Sequence, residues 1–349
     1  MKAGGQADRR SGGPALLRRA AFALVPLGLS AAAASPAVSA AQVSFPPRAF
    51  SRTTEKALYP LKRLAPNVYA VLGDSGKGAE GRPNAGFVVT PKGIVAFGGL
   101  ASPAQARAVI RTIRTRSSRP IKYLVLYAHH PDMMFGAIEF KRAGARIIAH
   151  PDTRVLAAEG GPDQMLADWD RVVGLQELLG FEYANVPDRP VAASDTLRLG
   201  GRTIAIFHPG PAHSAGDLVI WLPREGVLFA GDILLEDGGT MVVDGNSSVL
   251  LRTLTFIDSL APSVVVPGHG RVPDDPRVLT GRTREYITLL RDSIRADVAR
   301  GTSMRQAVEP FPPPDEGRPV SYNSRMRRNA VRIFLEMEKE SMGLDSEEE

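Results

Sequence analysis

Six histidines carry most of the reactive chemistry in this 349-residue chain: His129, His130, His150, His208, His213 and His269. Most follow short apolar runs and sit beside Gly, Pro or Asp. Four segments stand out. The first runs from Tyr127 to Gly136 and contains Ala128-His129-His130-Pro131-Asp132-Met133-Met134. The second is His208-Pro209-Gly210-Pro211-Ala212-His213-Ser214-Ala215-Gly216-Asp217. The third is Phe229-Ala230-Gly231-Asp232, and the fourth is Val266-Pro267-Gly268-His269-Gly270. Imidazole and carboxylate together suit zinc or iron. A lone histidine after a strand is more often structural. Four such segments in one chain, three of them with Asp, point instead to a shared metal site.

Such a site needs rigid strand ends and tight loops that converge on one point, and the sequence supplies them. Phe87–Val89 and Ile94–Phe97 read as strands around the turn Pro91-Lys92-Gly93. Ser102 and Pro103 open a helix as N-cap and first residue. Its buried stripe is Ala106, Val109, Ile110 and Ile113. Ile121–Tyr127 is the next strand, a short helix from Phe135 ends at Gly144, and Ile147–Ala149 is a strand. Residues 152–182 read as mostly helical. Thr203–Phe207, Leu218–Trp221, Val227–Ala230 and Ser263–Val266 are strands, and Pro223–Gly226 turns between two of them. Ile287, Leu290, Ile294 and Val298 mark one face of a long helix. A Pro-rich break covers Glu309–Glu316, the last helix spans Asn329–Glu338, and Asp345–Glu349 is a frayed end. This alternation describes a layered α/β domain.

Composition narrows the partners. Of the net charge of +6, +4 sits in residues 1–40, where Lys2, Arg9, Arg10, Arg18 and Arg19 face Asp8 alone. The rest of the chain has no basic stripe interleaved with aromatics, so no nucleic-acid partner is expected. With no cysteine, disulfides, thiolate zinc sites and a cysteine nucleophile are excluded. Residues 1–19 are polar and basic. The apolar run Ala20–Leu29 and the small residues Ala37-Val38-Ser39-Ala40 then complete the pattern of a signal peptide. Residues 1–40 are therefore expected to direct export to the periplasm or medium, by the Sec route rather than the twin-arginine route. Residues 41–60 form a polar arm, and no membrane span is expected after cleavage.

The four segments, in this order, resemble the metallo-β-lactamase superfamily. That family's motifs read T-H-x-H-x-D-H-x-x-G, G-x-x-H-T-x-G-D, G-D and P-G-H-G. Asn84–Thr90 and Phe140–His150 fit the surrounding text, and the flavour is close to exported members associated with quinoprotein systems. The resemblance implies a four-layer αβ/βα sandwich over residues 61–275, with residues 276–349 as a C-terminal helical extension. Carried over by motif, His130, His213 and Asp232 match ligands of one metal. Asp132, Asp232 and His269 match ligands of a second, with Asp232 as the bridge. The chain also departs from the pattern. The motif's first histidine falls on Ala128 and the histidine after the Asp on Met133. An Asp often found at the end of the earlier strand falls on Gly98.

His129 occupies the x of H-x-H. Neighbours at a strand end point to opposite sides, so His129 is not expected to stand in for the missing ligand and is read as a residue beside the ligands or on the surface. His150 and His208 are expected to be structural or rim residues. The remaining donors suit one ion better than two, zinc foremost, with iron or copper as alternatives. Copper would use the soft thioethers of Met133 and Met134, which otherwise pack beneath the first helix. A bound ion would acidify water and polarise a carbonyl or ester, with Asp132 orienting or deprotonating that water. The implied activity is hydrolysis of a small-molecule ester, thioester, lactam or phosphoester. The alternative is an inactive family member that binds a small molecule or metal. The pocket walls are expected from Gly73–Pro83, Ala157–Tyr183 and Leu235–Asn246.

Overall fold

A strand sends successive side chains to opposite faces, so a strand with no polar residue must be covered on both. The computed structural model describes residues 59–73, 82–153, 166, 169–170, 172–184, 187–311 and 322–344. It shows where these apolar strands go. In β4 (Gly93–Phe97), Ile94 and Ala96 join one core, while Val95 and Phe97 join another. In β5 (Ile121–Val125), Leu124 and Val125 divide the same way, as do Ile147 and Ile148 of β6 (Arg146–Ala149). The central core is shared with a second set of strands. Ile220 and Leu222 of β10 (Val219–Leu222) and Phe229 of β11 (Val227–Leu235) enter it, while Val219, Trp221 and Leu228 face outward into a third core.

Three cores separate four layers. Seven strands make the first sheet, in chain order. Here β1 (Leu61–Ala65), β2 (Val68–Val71), β3 (Ala85–Thr90) and β4 pair antiparallel. Strands β4, β5, β6 and β7 (Arg189–Pro190) pair parallel. The second sheet has the order β12-β11-β10-β9-β8, with β8 (Ser194–Leu199), β9 (Arg202–Phe207) and β12 (Val264–His269). Only β11 and β12 in it are parallel. Helices α1 (Pro103–Arg114), α2 (Pro131–Met134), α3 (Ala137–Arg142) and α4 (Leu175–Leu178) belong to the first half. Helices α5 (Ser247–Ser259), α6 (Arg277–Ala299), α7 (Met304–Val308) and α8 (Tyr322–Ser341) belong to the second.

Several expectations hold. Ser102 caps α1 by accepting from the Gln105 amide, with Pro103 first in the helix. The turn at 223–226 joins two antiparallel strands. Others need correction. β5 ends at Val125, two residues early, because the chain becomes irregular as it enters the first histidine segment. The helix expected from Phe135 is α3, from Ala137, and α2 precedes it. Pro131 starts α2 inside the motif. Gly136 separates them, since a side chain there would strike Gly99 O and Ala106 Cβ. The final helix begins at Tyr322 and runs to Ser341, well beyond both expected ends. Leu279, Ile287, Leu290, Ile333 and Phe334 of α6 and α8 pack in the same core as Val219, Leu228 and Val265. The C-terminal helices are therefore the outer layer over the second sheet. The signal segment, nearly all of the arm, Asp345–Glu349 and much of Ala157–Tyr183 lie outside the described residues. No helix among the described residues is long and apolar enough to cross a membrane.

The two sheets meet at Phe97 and Phe229, whose fully buried rings lie 4.9 Å apart. Phe229→Ala should destabilise the chain by about 3–5 kcal/mol. Urea unfolding would show this as a lower midpoint with an unchanged slope, while a loss below about 1 kcal/mol would mean the sheets are not packed through this pair.

Candidate metal centre

Each donor is fixed by the backbone that carries it. Pro131 holds His130 extended, at φ −65° and ψ 148°, just before α2, and this short helix turns Asp132 inward. Asp232 lies inside β11 rather than after it. Gly231, at φ +54°, breaks the register with β12 and re-aims the strand. A side chain at Gly231 would also strike Tyr127 Cβ and Cγ. His269 ends β12. The preceding Gly268 leaves room for Asp232, because a Cβ there would fall 1.9 Å from Asp232 Oδ1.

Side chains outside the donor set hold these loops. Asn84 donates from its side chain to Pro267 O and Gly270 O at 2.9 and 2.8 Å, and its amide donates to Gly268 O at 2.7 Å. It thereby ties the start of β3 to the His269 loop. Asp217 is buried and accepts from the amides of His213 and Ser214 and from Ser214 Oγ, at 2.6, 2.9 and 2.6 Å. Burial nevertheless pushes its carboxyl up to about 6.

All five sequence-predicted donors come together in two overlapping groups, His130–His213–Asp232 and Asp132–Asp232–His269. Within each group one donor atom per residue lies within 4.8 Å of the others. His213 Nε2 is 2.9 Å from His130 Nδ1 and 3.8 Å from Asp232 Oδ2. His269 Nε2 is 3.0 Å from Asp132 Oδ2 and 3.6 Å from Asp232 Oδ1. Donors arranged tetrahedrally about zinc stand about 3.3 Å apart, and these separations bracket that value.

The fit to a cation also follows from protons. His213 Nδ1 is 2.8 Å from the Met241 carbonyl, which can only accept, so Nδ1 bears the hydrogen. Burial and the neighbouring His130 lower the His213 pKa to about 3, so this ring is neutral and its Nε2 offers a lone pair. His130 Nε2 faces the Asp244 carboxylate at 3.0 Å and must also donate. The 2.9 Å contact between the two rings therefore requires a positive charge between them, either a proton on His130 Nδ1 or a metal ion. Burial opposes charging His130, but the hydrogen bond to Asp244 and the charges of Asp132, Asp244 and Asp232 outweigh it and raise its pKa. Asp232 Oδ1 is buried with no hydrogen-bond partner. Burial, reinforced by Asp132, lifts the Asp232 carboxyl to about 7. Burial would also raise Asp132, but the His269 hydrogen bond and the charges of His269, His130 and His213 pull it below the usual carboxylate range. A pair of imidazoles that lacks a positive charge between its nitrogens, beside a carboxylate whose pKa burial raises, is the setting a divalent cation resolves.

His129 belongs to neither inner group, so it does not replace the missing histidine. Its ring lies 4.5 Å from that of His130, and it groups with His130 and Asp244. Asp244 was missed because it lies outside all four motifs. His150 and His208 stack on each other, 4.1 Å apart, and are not among the grouped donors. Met133 is fully buried in the core between the sheets, and Met134 is buried in the outer core of the first sheet, so both thioethers pack as apolar side chains. Gly98 has φ +85°, and a Cβ there would lie 2.8 Å from Tyr127 Cε2. Tyr127 thus crowds the place an Asp would need.

Helix α8 reaches the site through a polar stripe at i, i+4, i+7 and i+11. Arg325 pairs with Asp237. Asn329 donates to Thr240 O and accepts from the Val242 amide, at 2.8 and 2.9 Å. Arg332 donates to Gly245 O at 3.0 Å, and Glu336 accepts from the Ser247 amide and hydroxyl. The clamped loop supplies Met241 O to His213 and Asp244 to His130.

Comparison with known proteins agrees with this geometry. The family model described as "Metallo-beta-lactamase superfamily" matches residues 80–269. A metallo-beta-lactamase type 2 of Bacillus sp. (strain 170) is 21% identical over 56% of this chain and 70% of its own. A hydroxyacylglutathione hydrolase of Rhodobacter capsulatus is 28% identical over 42% of this chain and 57% of its own. An atrochrysone carboxyl ACP thioesterase of Paecilomyces divaricatus is 30% identical over 42% of this chain and 46% of its own. The solved metallo-beta-lactamase of Pontibacter korlensis superposes with a TM-score of 0.54 at 19% identity, covering 66% of this chain and 99% of that one. This chain belongs to the metallo-β-lactamase superfamily.

Three measurements probe the centre. Zinc must displace a proton from Asp232, whose carboxyl lies at about 7, so apparent affinity should fall as pH drops below about 7, approaching about 10-fold per unit for that proton, and more steeply where His130 is also charged. Calorimetric titration at several pH values would show it, and a flat profile would contradict the protonation scheme. Gly268→Ala should weaken zinc binding more than about 10-fold by displacing Asp232. Gly281→Ala, on open helix surface with nothing within 4 Å, should leave it unchanged. Asn329→Ala should weaken zinc affinity by about 10–100-fold by freeing the loop behind both imidazoles. Unaltered affinity in a folded variant would detach α8 from the site.

Proposed function

We propose that this chain is a metal-dependent hydrolase acting on a small-molecule ester, thioester, lactam or phosphoester. The observation that carries this reading is the convergence of His130, Asp132, His213, Asp232 and His269. His130, His213 and Asp232 would hold one ion, zinc foremost, and Asp132 and His269 border it on the other side of Asp232. When bound, that ion supplies Lewis acidity and lowers the pKa of water.

The chain's own residues divide the remaining work by exposure and charge. His213 and Asp232 lie on the floor, with side chains 3% and 8% exposed. Asp132 and His269 are more open, at 12% and 14%. His130 is as open, at 15%, so substrate and water approach over Asp132, His269 and His130. Asp132 stays ionised and accepts a hydrogen bond from His269 through Oδ2 at 3.0 Å. An ionised, oriented carboxylate is suited to aligning a water hydrogen and is a weak base, so its contribution is orientation before proton removal. Tyr127, beneath Asp232, is held neutral by burial and by that carboxylate, which raise its pKa. The similarity to proteins named as lactamases, a thioesterase and a hydroxyacylglutathione hydrolase supports carbonyl substrates over phosphoesters. We further propose export to the periplasm or medium, on the signal-peptide pattern of residues 1–40.

The test is hydrolysis of a lactam, a thioester and a simple ester by zinc-loaded full-length protein, before and after chelation. Activity should vanish on chelation and return with zinc. Asp132→Asn should lower kcat by about 100-fold or more with little change in KM and with zinc retained. Full zinc occupancy with no turnover of any of the three substrates would overturn the hydrolytic reading in favour of a binding protein built on the same cleft.

A further inference from the structure

His130 also presents donors on the side turned away from His213. There its Nε2 lies 3.0 Å from Asp244 Oδ2, and the His129 ring is tilted against it at 4.5 Å. One nitrogen from each ring and one Asp244 oxygen lie within 4.8 Å of one another. His129 is 7% exposed, yet its Nδ1 has no hydrogen-bond partner, an uncommon state for a buried ring nitrogen. Asp244 is 55% exposed, so this cluster opens to solvent at the rim while Asp232 and His213 sit on the floor. None of the four motifs assigns a ligand to His129 or Asp244.

We propose that His129, His130 and Asp244 form a second cation site at the rim, selective for a borderline divalent ion such as Zn2+. Two imidazoles, one carboxylate and solvent make a donor set zinc accepts readily. The proposal shares only His130 with the inner centre, and it uses the opposite ring nitrogen. A neutral imidazole has one lone pair, so His130 serves one site at a time. A cation at the rim therefore withdraws His130 from His213, and at high metal concentration the rim competes with the inner centre for the same ring.

The two sites can be separated genetically, because Asp232 belongs to both inner groups and not to the rim group. Zn2+ alone is titrated calorimetrically into the full chain and into Asp232→Ala, His129→Ala and the double variant. Thermal unfolding without zinc confirms that each is folded, and His129→Gln replaces His129→Ala if the latter does not fold. Asp232→Ala should still bind about one equivalent, and adding His129→Ala should weaken that binding at least 10-fold. His129→Ala alone should leave the inner equivalent in place. If Asp232→Ala binds no zinc, or binds it equally well with and without His129, the rim site is refuted while the inner centre stands. If the unaltered chain binds no zinc, both are refuted.

Discussion

The organisation of this site follows from two imidazole nitrogens that must both present lone pairs to the same point. His213 is committed by the Met241 carbonyl, and His130 by the Asp244 carboxylate. Their facing nitrogens stand 2.9 Å apart, with the buried Asp232 carboxylate beside them. Without a positive charge between the rings the contact is repulsive, and with an ion it is attractive. A fold that maintains it must resist relaxation from several directions, and most of the distinctive features around the site serve that purpose.

The resistance comes from rigid elements on both sides of the central core. His130 and Asp132 hang from the end of the first sheet, and His213, Asp232 and His269 from the second. Phe97 and Phe229 fix the separation of the sheets. Asn84 latches β3 to the His269 loop, and Asp217 closes the turn that carries His213. Gly231 and Gly268 mark where backbone must pass closer than any side chain allows. The outer helix α8 works at a greater distance. Its polar stripe does not touch a donor, yet it grips the loop that decides which nitrogen of each imidazole is free. The C-terminal helices are thus a cover for the second sheet and also a brace for the ring orientations.

Much of this was legible in the sequence. The four histidine and aspartate segments named all five converging residues, and the apolar runs marked most of the strands that aim them. A run such as Ile94-Val95-Ala96-Phe97 required burial on both faces, which is what a four-layer sandwich provides. The errors have physical causes. Asp244 and Met241 were invisible because their roles arise from a loop whose path is set by α8, 87 residues further along the chain at the Val242–Asn329 contact. The extent of α8 was underestimated because its first residues are polar and carry no apolar periodicity. At Ala128 and Met133, where the family motif carries histidines, both side chains are buried in the central core.

The most direct test of the central claim is anomalous diffraction at the zinc edge from crystals of the full chain grown with stoichiometric zinc. The account predicts a peak within about 2.3 Å of His130 Nδ1, His213 Nε2 and an Asp232 oxygen, with the Met241 and Asp244 contacts kept. A map with no peak among these three residues, and His130 still hydrogen-bonded directly to His213, would show that a proton and not a metal holds the rings together.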